Sequence, residues 1–388
     1  MNLIEVKTKQ EISDFHKIPF IIYKDDKNWI PHLKQDVEKV FDKDKNKLFS
    51  EGGKVIRWIL KDSNGNLIGR VAAFINPKTA HTFKQPTGGM GFFECINDEK
   101  AAFILFDACK NWLQKQGMEA MDGPINFGEK NMFWGLLVEN FTDINSYGMN
   151  YNLPYYRNLF EKYGFQTYYE QWMYKRDLSV TAQPIFHRKY NQLKNDPDYE
   201  VTNIRGKSLE KVADDFREVY NSAWGKHDGF KELSREAAMK IMKAMKPALD
   251  KDIVVFVYYK KKPIAFWVNI PELNQIFRHV NGDLNWLGKL KFLYHKWRHT
   301  ADIMTGIVFG VAQEFQGKGI EAAMIVWGEH HIVPMKRYKT TTITWIGDFN
   351  PKMIKVCENL GAERYRTLIT CRYLFDRNIP FERCPIIT

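Results

Sequence analysis

Residues Val311 to Ala323 read VAQEFQGKGIEAA, with two glycines flanking a lysine at Gly317-Lys318-Gly319. An apolar, strand-like run precedes them and a helical pattern follows. Glycine amides in such a turn converge on one point, at the positive end of the next helix, which is the chemistry of phosphate binding. A Walker loop requires G-x-x-x-x-G-K-[ST]; here Gly319 follows Lys318, and Ala312 stands where the first glycine belongs. The dinucleotide fingerprint does match, as Gly317-x-Gly319-x-x-Ala322. That fingerprint, however, places its first glycine at the strand end, whereas QEFQ intervenes here. Its acidic partner would be Asp348, about 30 residues on where roughly 20 is usual. Only one β-α-β unit remains before the chain ends, too little for a dinucleotide fold.

These residues must be positioned by a chain of 388 residues, a length that suits two domains. Apolar residues at 44% and charged residues at 27% are ordinary for a globular protein, and aromatics at 14% suggest thick cores or apolar clefts. No apolar run is long enough for a membrane span, and MNLIEVKTKQEISDF lacks the core of a signal peptide. A cytosolic protein follows. The five cysteines form no C-x-x-C pair, and the histidines form no H-E-x-x-H, so neither a disulfide framework nor a metal centre is expected. A net charge of +11 favours an anionic partner: a nucleotide-like cofactor, nucleic acid or an anionic membrane.

The runs 54–60 and 67–75 flank DSNG and predict a hairpin; 97–117 predicts a helix capped by Asn97 or Asp98 and stopped by Gly117. A short strand at AMDGP, a helix over 154–164 and a strand in TYYEQWMYKRDL complete the first half. The second half repeats the order: a hairpin over 253–270, a strand over 301–312, a helix over 319–333, a strand over 340–346, a helix over 350–361 and a strand over 365–375. The closing segments beginning at Asn152 and Asn350 share an Asn with a nearby proline. Each also has a Glu three residues before the helix-ending Gly164 or Gly361, then an aromatic strand. Duplication accounts for this, with a boundary near SVTAQP (179–184).

In this context Gln316-Gly317-Lys318-Gly319-Ile320-Glu321 resembles the Q/R-x-x-G-x-G/A signature of the GCN5-related N-acetyltransferase (GNAT) superfamily. PFIIYKDDKNWIP, GRVAA, DGPINF and GMNYNLPYY also resemble a narrower family of bacterial tandem acetyltransferase-like proteins, across nearly the whole chain. The resemblance implies an α/β (α+β) protein of two tandem GNAT-like domains, each a mixed, mostly antiparallel twisted sheet flanked by helices. Residues 1–178 would be a degenerate copy that shapes the acceptor site, because Asp98 and Glu99 occupy the start of its helix. Residues 179–388 would carry the acyl-CoA loop. Acetyl-CoA or a longer acyl-CoA would be held by Val311, Gln316, Gly317, Lys318, Gly319, Ile320 and Asn350, with Glu321 turned away from the phosphates.

The reaction so implied is acyl transfer to an amine, which needs a base and an oxyanion donor, the latter a backbone amide near Val311. Asp348 is the first candidate base, its alternative role being to cap the 350–361 helix; His279 and Asp283 come second. The family's tyrosine acid is replaced by Cys357. Asn126, Tyr151, Asn152 and Tyr155, in loop-like motifs, are candidates for acceptor binding. The segment 283–300 places Trp286, Leu290, Leu293 and Trp297 at helical spacing among basic residues. It either packs on its own domain or meets a lipid surface or acyl chain, which extends the cytosolic reading to peripheral contact with the inner membrane. A small-molecule or lipid-like amine is the expected acceptor and nucleic acid is not an expected partner. The rival reading is a non-catalytic lipid- or nucleic-acid-binding protein on a degenerate acyltransferase fold.

Overall fold

The fold is that of a computed structural model, which describes residues 1–225 and 231–387. The first half contains β1 (Asn2–Glu5), α1 (Lys9–Ile22), α2 (Lys34–Phe41), β2 (Lys54–Lys61), β3 (Leu67–Ile75), β4 (Thr87–Cys95), α3 (Glu99–Lys115), β5 (Ala120–Gly123), β6 (Leu136–Glu139), α4 (Tyr156–Tyr163) and β7 (Gln166–Asp177). The second contains α5 (Pro184–Lys194), β8 (Tyr199–Asn203), α6 (Leu209–Trp224), α7 (Arg235–Met245), β9 (Val254–Tyr259), β10 (Lys262–Pro271), α8 (Leu273–Phe277), α9 (Trp286–Trp297), β11 (Ile303–Val311), α10 (Ile320–His331), β12 (Thr340–Gly347), α11 (Pro351–Asn359) and β13 (Glu363–Leu374).

Local chemistry explains most boundaries. The β2–β3 turn is closed by Asp62, whose Oδ1 accepts from the amides of Asn64 and Asn66 at 2.9 and 2.8 Å, with Gly65 at φ +82°. Asp98 caps α3 by accepting from the Ala101 amide at 2.8 Å. Gly164 ends α4 in the left-handed region. Among the described residues no helix is long and apolar enough to cross a membrane.

The strands form one sheet in the order β1-β2-β3-β4-β5-β13-β7-β12-β11-β10-β9-β8, with β6 pairing β13. It is antiparallel except at β4–β5 and β11–β12. The closing strands are exchanged. β13, from the end of the chain, lies against β5 of the first half, and β7 lies against β12 of the second. The two then pair with each other antiparallel, from Glu363 opposite Lys175 to Arg372 opposite Gln166. Two sheets that could have ended separately are thereby fused at their middle.

Each half buries both sheet faces. In the first, α3 and α4 cover one face through Leu105, Phe106 and Phe160, while α1 and α2 cover the other through Phe15, Ile18 and Val37. In the second, α5 and α10 pack through Tyr190, Met324 and Val326, and α6 and α7 through Phe216, Val219 and Met242. Glu272 links the halves: its carboxylate is buried, accepting from the Tyr147 amide at 2.8 Å, the Asn274 amide at 3.0 Å and the Thr305 hydroxyl at 3.0 Å.

Candidate functional site: a splayed strand pair behind a glycine loop

β11 and β12 pair only over Ile303–Gly306 and Thr340–Ile343. Beyond Gly306 they diverge, because β11 continues along β10 to Val311 while β12 follows β7. The gap is a cavity of about 440 Å³, walled by Trp267, Phe309, Ile325, Trp345, Phe349 and Val356. Its polar edge carries Arg176, Asn350 and Lys130, the last contributed by the first half. Lys130 is held there through its backbone, whose carbonyl accepts from the Trp345 indole at 3.2 Å. Among the described residues no carboxylate or imidazole lines this cavity.

The glycine loop follows directly from the end of β11. The Gln316 side chain donates from Nε2 to the Val311 carbonyl at 3.1 Å, folding the loop back on the strand. Gly317 and Gly319 have φ of +73° and +85°, a region that glycine enters freely. Gly319 is the N-cap of α10 and supplies no side chain, so the first amides of that helix are left for another acceptor. Lys318 lies exposed over the Phe315 ring at 5.0 Å, and Lys189 from α5 passes beside Gly319. Glu321 is half-buried in the first turn and makes no hydrogen bond or ion pair among the described residues. Backbone donors, a helix dipole and two lysines together suit an anion of phosphate type.

The corresponding place in the first half is built differently. β4 and β5 pair over Thr87–Gly89 and Ala120–Asp122, but the gap beyond them is filled by backbone. The Ile125 amide donates to the Met90 carbonyl at 2.8 Å, and Gly91 abuts the Ile125 carbonyl so closely that a Cβ would sit 1.9 Å from it. What remains is about 30 Å³, beside a buried cluster in which Glu94 accepts from Tyr23 at 2.5 Å and Tyr156 at 2.8 Å. Burial raises the Glu94 pKa. The helix that follows, α3, already has its cap in Asp98.

No protein-family model matches the chain. Over 374 residues it is 26% identical to Protein YghO of Escherichia coli (strain K12), covering 92% of this chain and 91% of that one. It is 24% identical over 376 residues to the bacterial ceramide synthase of Caulobacter vibrioides, covering 95% and 96%. A tandem GNAT protein from the clavulanic acid biosynthesis pathway matches in structure with a TM-score of 0.54 at 8% identity, covering 98% of this chain and 99% of that one. The chain has the tandem GNAT fold.

In this GNAT frame the site residues named from the sequence fall into three places. Val311, Gln316, Gly317, Lys318, Gly319 and Ile320 form the loop at the end of β11, and Asn350 both caps α11, accepting from the Met353 amide at 3.2 Å, and lines the cavity. Asp348 lies between two cavity-lining residues, Gly347 and Phe349, but its own carboxylate is engaged elsewhere. It accepts from the Glu170 amide at 3.1 Å and from Arg383 Nη2 at 2.5 Å. His279 does not line the cavity; it stacks on His295 of α9 with ring centroids 3.8 Å apart, and burial lowers its pKa. Asp283 accepts from the Asn285 amide at 3.1 Å, just ahead of α9.

Asn126, Tyr151, Asn152 and Tyr155 belong to the first half. Tyr151 and Asn152 line its 30 Å³ space. Tyr151 donates to Asp26 at 2.6 Å, Tyr155 to the Cys95 carbonyl at 2.6 Å, and Asn152 holds the Leu137 amide and carbonyl at 2.7 and 3.0 Å. Asn126 donates to the Glu129 carbonyl at 3.3 Å, while its buried Oδ1 has no partner among the described residues. Cys357 lines the large cavity; burial, with Glu358 nearby, pushes its pKa up to about 12, so it is a neutral thiol and not a thiolate nucleophile. Sequence patterns do not single out Trp267, Trp345, Phe349 or Lys130. The three aromatics look like ordinary core residues there, and Lys130 comes from the opposite half.

Of the two readings of segment 283–300, packing of its aromatic stripe on its own domain does not describe the structure. Its helix does not bury the aromatic stripe against its own domain: Trp286, Leu290, Leu293 and Trp297 are 69%, 56%, 57% and 74% exposed.

Proposed function

We propose that the protein is an acyl-CoA-dependent N-acyltransferase whose second half holds the acyl donor and whose first half shapes access for an amine. The observation that carries this reading is the uncapped α10 start, with its glycine loop, next to the apolar opening between β11 and β12. The loop amides and Lys318 would take the pyrophosphate, and Asn350 and the aromatic walls the pantetheine arm and acyl chain. Acyl transfer forms a C–N bond as the thioester C–S bond breaks; CoA leaves as its thiolate, and the amine proton passes to a base, from which it can reach that thiolate. The tandem GNAT fold and the name of the Caulobacter relative support this class of reaction. The name of the Caulobacter relative, a ceramide synthase, together with the apolar cavity walls, favours a long acyl chain and a lipid-like amine over acetyl transfer to a polar one.

A thermal-shift panel tests the donor. CoA, acetyl-CoA and palmitoyl-CoA are each expected to raise the melting temperature, palmitoyl-CoA most, since a ligand at 100 times its Kd adds about 2.7 kcal/mol. Stabilisation by NAD with none by CoA would overturn the assignment.

Asp348 is the proposed base; because its carboxylate lies outside the cavity, held by the Glu170 amide and Arg383, it would act through a water once Arg383 is displaced. Asp348→Asn is then expected to cut turnover by roughly 100-fold at unchanged CoA affinity, while Arg383→Ala leaves turnover near wild type. If both variants lose melting temperature and turnover alike, Asp348 is a strut for the β12 end and not a base.

A further inference from the structure

α9 is held to the domain by one side only. Phe292 is buried and stacks on Phe277 with centroids 5.4 Å apart, and Gly288 lies so close to the Asp283 carbonyl that a Cβ would stand 2.2 Å away. The opposite side carries Trp286, Leu287, Leu290, Leu293, Tyr294 and Trp297, each at least half exposed. At 3.6 residues per turn these six fall within an arc of about 120°. Exposed Lys289 borders the arc on one edge, where Lys296 turns back to donate to the Pro247 carbonyl, and exposed Lys291 and Arg298 border it on the other. The helix WLGKLKFLYHKW contains no acidic residue.

An apolar stripe of this size in water is unusual for a surface that has no partner. The flanking charge decides which partner fits. A second copy meeting the same face would bring lysine and arginine against lysine and arginine. Nucleic acid would satisfy the cations but leave the leucines and tryptophans unburied. The headgroup region of an anionic bilayer accepts both, with leucine and tryptophan at the acyl boundary and lysine and arginine at the phosphates.

We propose that α9 seats this protein on an anionic lipid bilayer. The inference does not depend on the acyltransferase reading; if both hold, the catalytic half works beside a lipid surface. The full chain is floated with vesicles of phosphatidylcholine containing phosphatidylglycerol, and with phosphatidylcholine alone. Wild type is expected to float with the anionic vesicles and to detach as salt is raised. Leu290→Glu with Leu293→Glu should reduce the floated fraction roughly tenfold or more, and Lys289→Glu with Lys291→Glu should remove the preference for anionic lipid. Because all four side chains face solvent, melting temperature and CoA affinity should stay at wild-type values in both double variants. Failure of wild type to float, flotation unaffected by the leucine changes, or dimerisation through this face seen by sedimentation velocity would each overturn the proposal. Loss of CoA binding in wild type would bear on the proposed function and leave this one standing.

Discussion

Asp122→Ala is expected to lower the unfolding free energy by about 3–5 kcal/mol, a large share of the stability of an ordinary domain. Asp122 is on β5 in the first half, and its partner, Arg372, is on β13 from the end of the chain. The pair is bidentate, Nε to Oδ1 at 2.7 Å and Nη2 to Oδ2 at 2.8 Å, and both side chains are buried. The guanidinium also lies 3.7 Å from the centre of the Tyr168 ring and 4.4 Å from that of Phe83. Removing the carboxylate leaves a cation with little water and no counter-charge at the seam where the exchanged strand enters the first half. The attraction between the two groups does not set the cost; the stranded charge does. Replacing both, as Asp122→Leu with Arg372→Met, should therefore cost less than either single change. Urea unfolding of the three variants reads this directly. Single variants within about 0.5 kcal/mol of wild type would contradict it.

Gly317→Asp is expected to weaken CoA binding by roughly 100-fold or more while the fold survives. Gly317 has φ of +73°, and a Cβ added there would have no atom within 4 Å, so a side chain meets open space. Aspartate tolerates the left-handed region better than most residues, at about 1 kcal/mol. Its carboxylate would stand in the loop where the phosphate charge is to be held, opposing charge-assisted hydrogen bonds worth about 1.5–3 kcal/mol each. Gly319→Asp should abolish binding too, with more strain: φ is +85° and its Cβ would sit 2.8 Å from Lys189 Cδ. Calorimetry on both variants, alongside their melting temperatures, separates lost binding from lost folding. CoA affinity equal to wild type in Gly317→Asp would place the phosphates elsewhere.

What can be read from the sequence is what neighbouring residues decide. The hairpin at Asp62–Gly65, the Asp98 cap and the Gly164 stop each depend on a few contiguous residues, and each element lies where its pattern puts it. The glycine loop is legible for the same reason. The exchange of β7 and β13 is not. Both are aromatic-rich strands of twelve residues, and either could pair with β5 or β12 by local preference. Long-range partners such as Asp122 and Arg372 select the arrangement. The orientation of α9 is hidden too, because the residues that bury it are Gly288 and Phe292, while the louder stripe of tryptophan and leucine faces outward. The engagement of Asp348 is out of reach because Arg383 arrives from the C-terminal tail, 35 residues away.

We propose that one half of this tandem fold holds the acyl donor and the other does not. Calorimetric titration of CoA into the full chain tests it most directly. One site per chain is expected, supplied by the β11–α10 loop, with the first half excluded by Asp98 and the Ile125 backbone. Two sites per chain, or no binding at all, would contradict this assignment.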